Sequence, residues 1–208
     1  MRASVVGLGK LGAPLLGVLA SKGLQVWGID LISETVAKIN DGIAPVREPK
    51  LQELLTIHKA RIRAISDWRV AIGNSEVTYL AVPTPSATDG SFANDYVLAA
   101  IEAVGRVLKT KPGYHLLVVN STVMPGSTDG PLRDRLEAVS RKSVGRDIGL
   151  CYNPEFIALG NVVDGLLYPD FVLIGESDPQ AGAMLERICR RVVSEAVPVA
   201  RMNFVNAD

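Results

Sequence analysis

Apolar residues follow two alternating rhythms along this chain. Short unbroken runs rich in Val, Ile and Leu give way to longer stretches where apolar positions return every three or four residues. The runs predict strands at Arg2–Val6, Gln25–Ile29, Arg61–Ile65, Glu76–Val82, His115–Asn120, Asp147–Cys151, Phe171–Ile174 and Ala196–Val199. The helical rhythm predicts helices at Lys10–Lys22, Ser33–Asn40, Pro49–Lys59, Asp67–Ile72, Asn94–Lys109, Gly126–Arg141 and Pro179–Val193. Asp41-Gly42 and Lys111-Pro112-Gly113 mark helix ends, and Ser66-Asp67 marks a start. Strands made almost wholly of Val, Ile and Leu are strands buried on both faces. Such alternation predicts an α/β architecture, a mainly parallel sheet with helices on both sides. No helix is expected after the last strand.

The first thirty residues carry the most specific signal. Strand one runs into Gly7-Leu8-Gly9-Lys10-Leu11-Gly12, a helix follows, and strand two closes on Asp30. A G-x-G-x-x-G pattern in that context describes a dinucleotide-binding unit, so the sheet is expected to be a Rossmann-type, doubly wound one. Gly7 would permit the tight turn, Gly9 would let backbone amides approach a pyrophosphate, and Gly12 would seat the helix close to the sheet. The helix N-terminus would face the anion with unpaired donors. Asp30 would accept hydrogen bonds from the ribose hydroxyls and repel a 2′-phosphate, which favours NAD over NADP. A glycine-rich turn beside a surface acid is the plainer account. The complete strand–turn–helix–strand context speaks against it.

Charge and composition narrow the partners. Lys plus Arg and Asp plus Glu number 22 each, so no basic field is offered to nucleic acid or to anionic lipid. Hydrophobic residues make up 48 %, yet charged residues interrupt every apolar run well short of the ~20 residues a membrane span needs. Met1 leads straight into a strand without a secretion signal, and a cytoplasmic location is expected. Residues 1–200 are read as one domain and 201–208 as the start of a linker to an absent region. Cys151 and Cys189 are far apart and belong to no metal-spacing motif; both are expected to be packing residues. His58 and His115 are isolated, and no metal is expected.

Ligands in open α/β sheets gather beyond the carboxyl ends of the strands. Three loops there are unusual: Val82-Pro83-Thr84-Pro85, Asn120 to Thr128 with Ser121 and Thr122, and Asn153-Pro154-Glu155-Phe156. Each has a bland account: a rigid turn, a Ser/Thr cap, and a helix start with Asn153 as N-cap and Glu155 in the first turn. All three should emerge on the edge that carries Gly7–Gly12, where together they would surround the nicotinamide end of a cofactor.

With those loops the chain resembles the N-terminal domain of the UDP-glucose/GDP-mannose dehydrogenase family. The resemblance is carried by Gly7–Gly12, Gly42-Ile-Ala-Pro45-Val-Arg-Glu48-Pro49, Val82–Pro85, Ser121-Thr122-Val123, Asn153–Phe156 and Tyr168-Pro169-Asp170-Phe-Val-Leu-Ile-Gly175, in the family's order. It implies oxidation of the C6 alcohol of a nucleotide sugar, UDP-glucose foremost, to a carboxylate with two NAD. It implies that Gly7, Gly9, Leu11, Gly12 and Asp30 bind NAD, with Thr84, Ser121 and Thr122 near its ribose and nicotinamide. Glu155, with Thr122, would be catalytic, Glu155 serving as a base that activates water. Phe156 and Ile157 would join Glu155 in lining the sugar-nucleotide site.

Two positions depart from the family pattern. Leu159 stands where a second acid is usual, and Thr35 where a basic residue often meets the adenosine end, so weaker NAD binding is expected. The family's nucleophilic cysteine, in a Gly-Gly-x-Cys-Phe-Pro-Lys segment, and its catalytic lysine are not among residues 1–208. The chain by itself is therefore expected to bind NAD without full turnover, and the intact enzyme to be a homo-oligomer. The alternatives are the cofactor half of a hydroxyacid or 6-phosphogluconate-type dehydrogenase, and a non-catalytic NAD-sensing module. A Glu155 side chain packed away from the nicotinamide position would favour the sensor.

Overall fold

The computed structural model describes residues 1–85, 93–157, 160–194 and 196–207. Strands β1 (Arg2–Val6), β2 (Gln25–Ile29), β3 (Ile62–Ile65), β4 (Val77–Leu80), β5 (His115–Val119), β6 (Ile148–Tyr152), β7 (Val172–Glu176) and β8 (Val199–Met202) form one sheet, ordered β3-β2-β1-β4-β5-β6-β7-β8. From β3 to β6 every pairing is parallel. β7 then runs antiparallel to β6, and β8 parallel to β7. The helices are α1 (Gly12–Ser21), α2 (Ser33–Asp41), α3 (Leu51–Ile57), α4 (Trp68–Gly73), α5 (Asp95–Leu108), α6 (Arg133–Ser140), α7 (Val162–Leu167), α8 (Pro179–Val192) and α9 (Phe204–Ala207).

Strand side chains alternate between two cores because successive residues point to opposite faces. Val118 joins the core built with α1, α2, α3, α7 and α8, whereas Val119 joins the one built with α4, α5, α6 and α9. The chain changes faces where β1 lies between β2 and β4. That reversal is the switch point of a doubly wound sheet, and it opens a crevice outside the carboxyl ends of β1 and β4. Among the described residues no helix is long and apolar enough to cross a membrane.

Five details differ from the sequence-based expectation. The helix expected over Gly126–Arg141 is a π-turn at Thr128–Leu132 followed by α6, with Gly130 far from helical backbone at φ −102° and ψ −112°. Gly130-Pro131 breaks it, since proline has no amide to donate and clashes with the preceding turn. β8 begins at Val199 rather than Ala196 because Pro198 cannot donate to a ladder; its carbonyl instead accepts from the Val172 amide at 2.9 Å. Residue 201, where a linker was expected to start, lies inside β8. α9 was not expected; Phe204 and Ala207 are buried beside Gly175, where a Cβ would lie 2.7 Å from that of Ala207. α7, also unexpected, is a six-residue helix whose Gly165 faces Ile157.

Candidate functional site

The glycine turn shows three different spatial demands. Gly7 has φ +85°, a left-handed backbone, and a Cβ there would stand 2.6 Å from the Ala81 carbonyl oxygen. At Gly12 a Cβ would overlap the Gly7 carbonyl oxygen, so α1 sits directly on the turn. At Gly9 a Cβ would meet nothing within 4 Å. Packing does not require glycine at that position, and its open side leaves room for a ligand to approach the backbone. The amides of Lys10, Leu11 and Gly12 make no hydrogen bond to protein among the described residues, as expected of a helix start. Leu11 forms the N-cap position of α1 with no side-chain cap, and its half-buried side chain packs on the core, so its offering to a ligand is its amide.

Asp30 is brought to the same turn and held there. Its Oδ2 accepts from the Leu8 amide at 2.8 Å and its Oδ1 from the Ile32 amide at 2.9 Å. Each oxygen keeps a further lone pair for a hydroxyl donor. Thr35 lies in the first turn of α2, half-buried.

The two loops beyond β4 and β5 are tied to each other. Ser121 is buried; its Oγ accepts from the Val82 amide at 3.0 Å and reaches the Val82 carbonyl at 2.8 Å as donor. That hydroxyl is spent on fixing the Val82–Pro85 segment. Thr84 in the neighbouring loop is half-buried and Thr122 is exposed.

Residues 153–157 form no helix, which removes the helix-start account of Glu155. Asn153 is anchored by its amide to the Val119 carbonyl at 2.9 Å and by its Nδ2 to the Leu173 carbonyl at 3.0 Å. The half-buried Glu155 side chain lines a cavity of about 130 Å³ with Leu15 and Leu19 of α1, Tyr79 of β4 and Cys189 of α8. Its Oε1 accepts from Asn120 Nδ2 at 3.2 Å. Burial lifts the Glu155 carboxyl from 4.5 to about 8, against the opposing pull of the Asn120 hydrogen bond. Phe156 is 64 % exposed, its ring 4.9 Å from that of Phe171. Ile157 is half-buried and packs against Gly165 of α7, which a larger residue would displace. Leu159, the departure noted in the sequence, lies outside the described residues.

Neither cysteine is poised as a nucleophile. Cys151 is buried with its thiol pushed far up by desolvation, and burial lifts the Cys189 thiol to about 12. Asn120, which opens the second of the three loops, is the site residue to which the sequence assigned no role of its own. Its signal was an amide closing the unbroken apolar run Leu116–Val119, in step with the core-facing Val118.

Residues 1–193 match the family described as UDP-glucose/GDP-mannose dehydrogenase family, NAD binding domain. GDP-mannose 6-dehydrogenase of Pseudomonas aeruginosa is 34 % identical over 208 residues, which is 97 % of this chain and 48 % of that protein. UDP-glucose 6-dehydrogenase AglM of Haloferax volcanii is also 34 % identical, over 100 % of this chain and 49 % of its own length. The chain spans about half the length of the curated relatives it matches. The crystal structure of a ternary complex of GDP-mannose dehydrogenase from Pseudomonas aeruginosa superposes with a TM-score of 0.95 at 33 % identity, covering 100 % of this chain and 47 % of the other. A UDP-glucose dehydrogenase from Pyrobaculum islandicum gives 0.91 at 31 %, covering 99 % and 47 %.

Proposed function

Because this chain belongs to the UDP-glucose/GDP-mannose dehydrogenase family, as its NAD-binding domain, we propose that it serves the oxidation of a nucleotide sugar's C6 alcohol to a carboxylate. Bound NAD supplies the electron acceptor, twice per product. The residues present suit that cofactor: an open Gly9, unpaired amides at the start of α1 and an Asp30 carboxylate already oriented by two amides. In this reading the backbone of Gly7, Gly9, Leu11 and Gly12 cradles the diphosphate and Asp30 takes the adenosine ribose hydroxyls. Thr84 and Thr122 flank the ribose and nicotinamide end, their loops clamped by Ser121. Glu155, once ionised, accepts a proton from water, and Phe156 with Ile157 borders the sugar nucleotide.

The observation that carries this reading is the empty space at Gly9 beside unpaired amides. Gly9→Val should leave the melting temperature of the chain unchanged and remove NAD binding in calorimetry, with NADP bound more weakly than NAD by the parent chain. A parent chain that ignores millimolar NAD, or a Gly9→Val chain that still binds it, sinks the proposal. For the sugar nucleotide, UDP-glucose and GDP-mannose are the two candidates; relatives named for each stand at 34 % identity, so sequence distance does not separate them. Saturation-transfer NMR with each, in the presence of NAD, ranks them.

One observation favours a second reading, a non-catalytic NAD-sensing module: the Glu155 carboxyl is turned into the cavity among Leu15, Tyr79 and Cys189. A Glu155 resonance unmoved by saturating NAD supports the sensor, and one that shifts supports the enzyme.

A further inference from the structure

Asn120 is 3 % exposed and both of its amide protons are committed. Nδ2 donates to the Asn153 carbonyl at 2.9 Å and to Glu155 Oε1 at 3.2 Å. The first acceptor is a fixed point, because the Asn153 residue is itself anchored to β5 and β7. Turning the amide over would set Oδ1 against that carbonyl oxygen, so the donor side must face Glu155. Oδ1 is left buried with no partner among the described residues, a cost that packing alone does not require.

We propose that Asn120 is the positioning residue of Glu155: pinned to the Asn153 carbonyl, its amide orients Oε1 and stabilises the carboxylate inside a largely apolar cavity. Among the described residues no other side chain hydrogen-bonds Glu155. Tyr79 comes from β4, Cys189 from α8, and Tyr168 and Asp170 from the segment before β7, while α1 and α7 contribute Leu15, Leu19 and Leu166. No Lys, Arg or His is among the described residues lining the cavity. Among the described residues the Asn120 bond is also the one influence that pulls the Glu155 carboxyl back toward its charged form. A carboxyl meant to take a proton must first lose its own, so Asn120 governs how much of Glu155 is competent at neutral pH.

The catalytic weight of this contact rests on the function proposed above; the contact itself does not. It can be read by NMR on this 208-residue chain, following the Asn120 side-chain amide and the Glu155 carboxyl carbon from about pH 5 to about pH 10. Both signals should move with one shared midpoint, and the Asn120 movement should vanish in Glu155→Gln. Asn120→Ala should raise the Glu155 midpoint by about one unit, a tenfold loss of carboxylate, and Asn120→Gln should recover part of it. An Asn120 amide that stays flat in the parent chain, or a Glu155 midpoint that Asn120→Ala leaves in place, overturns the assignment. Should Asn120→Ala not fold, the comparison of the parent chain with Glu155→Gln decides alone. Failure of NAD to bind would overturn the function and leave this titration standing, so the two readings fail separately.

Discussion

Glu155 is a carboxyl placed at the expense of stability. Its folded midpoint of about 8 lies above the ordinary 4.5, so between those values the folded chain holds more protons than the unfolded one. Stability therefore falls as pH rises through that window. Glu155→Gln keeps an acceptor for Asn120 and carries no charge to desolvate. It should stabilise the chain at pH 8 and above by on the order of 2 kcal/mol, discounted for partial exposure, and have no effect below about pH 4.5. Thermal unfolding of both chains at the two pH values checks this, and a lower melting temperature for the variant at high pH contradicts it. Gly12 makes the opposite kind of demand, a purely steric one. Gly12→Ala forces α1 off the Gly7 carbonyl and should cost on the order of 3 kcal/mol in urea unfolding. The spacing of the glycines made the tight turn at Gly7 and the close seating of α1 at Gly12 readable, because each is local to a dozen residues. Ser121 and Asn120 were not readable in this way. A hydroxyl in a loop looks available until the Val82 backbone is found using it, and an amide after an apolar run has no visible target until Glu155 arrives from 35 residues later.

Elements report the same contrast between local and distant causes. β1, β4 and β5 are joined near their amino ends by a buried polar chain: Ser4 Oγ to Thr78 Oγ1 at 2.7 Å, Thr78 Oγ1 to His115 Nε2 at 2.8 Å, and His115 Nδ1 to Lys111 Nζ at 2.8 Å. Lys111 also donates to the Ile72 carbonyl at 2.6 Å and to the Ser75 carbonyl. An ammonium can only donate, so it makes Nδ1 the acceptor and leaves the proton on Nε2, aimed at Thr78. Desolvation and then the Lys111 charge lower His115 from 6.5 to about 3, which keeps the ring neutral. The folded chain thus binds fewer protons than the unfolded one between those values. Its stability is retained above about pH 6.5 and is lost as pH falls toward 3. Lys111→Met strands three acceptors and should cost about 1–3 kcal/mol at pH 7 by urea unfolding. It should also move the His115 midpoint upward in an imidazole NMR titration, and an unmoved midpoint would show that the ammonium does not act on the ring. Sequence periodicity placed His115 in its strand and could say nothing of Thr78, 37 residues earlier. The break at Gly130-Pro131 and the late start of β8 after Pro198 each had a proline as signal, yet the apolar rhythm alone ran a helix over Gly126–Arg141 and a strand from Ala196. α7 had no such signal, since six residues with a glycine among them make a helix only through what Ile157 and Glu48 do to it: Glu48 Oε1 accepts from the Val163 amide at 3.2 Å.

At the scale of the whole molecule, strand order decides which parts can open independently. The parallel strands β1 to β6 share up to five register pairs with each neighbour, whereas β6 and β7 share two, Cys151 with Glu176 and Tyr152 with Gly175. Around that seam run a bond from the Ser177 amide to the Leu150 carbonyl at 2.9 Å and one from the Leu150 amide to Ser177 Oγ at 3.0 Å. Among the described residues β7, β8 and α8 therefore form the unit with the thinnest backbone attachment, held in place mainly by the apolar face of α8 on β5 and β6. The alternating rhythm foretold a sheet of this class, and it could not foretell the reversal at β7, because both strand directions bury Val and Ile alike. Local opening free energies follow such attachments. Amide exchange should show β7 and β8 opening below the global unfolding limit, with β1, β4 and β5 exchanging only through it. The crevice proposed to take the cofactor lies on the far side of this seam, at β1 and β4. NAD at about 100 times its dissociation constant should thus add roughly 2.7 kcal/mol of protection to β1 and α1. The β7–β8 opening should gain nothing, because a cofactor retained in the open form exerts no pull on the opening equilibrium. Equal protection in both regions would mean that the seam does not separate them, and that release of β7 and β8 dismantles the glycine turn as well.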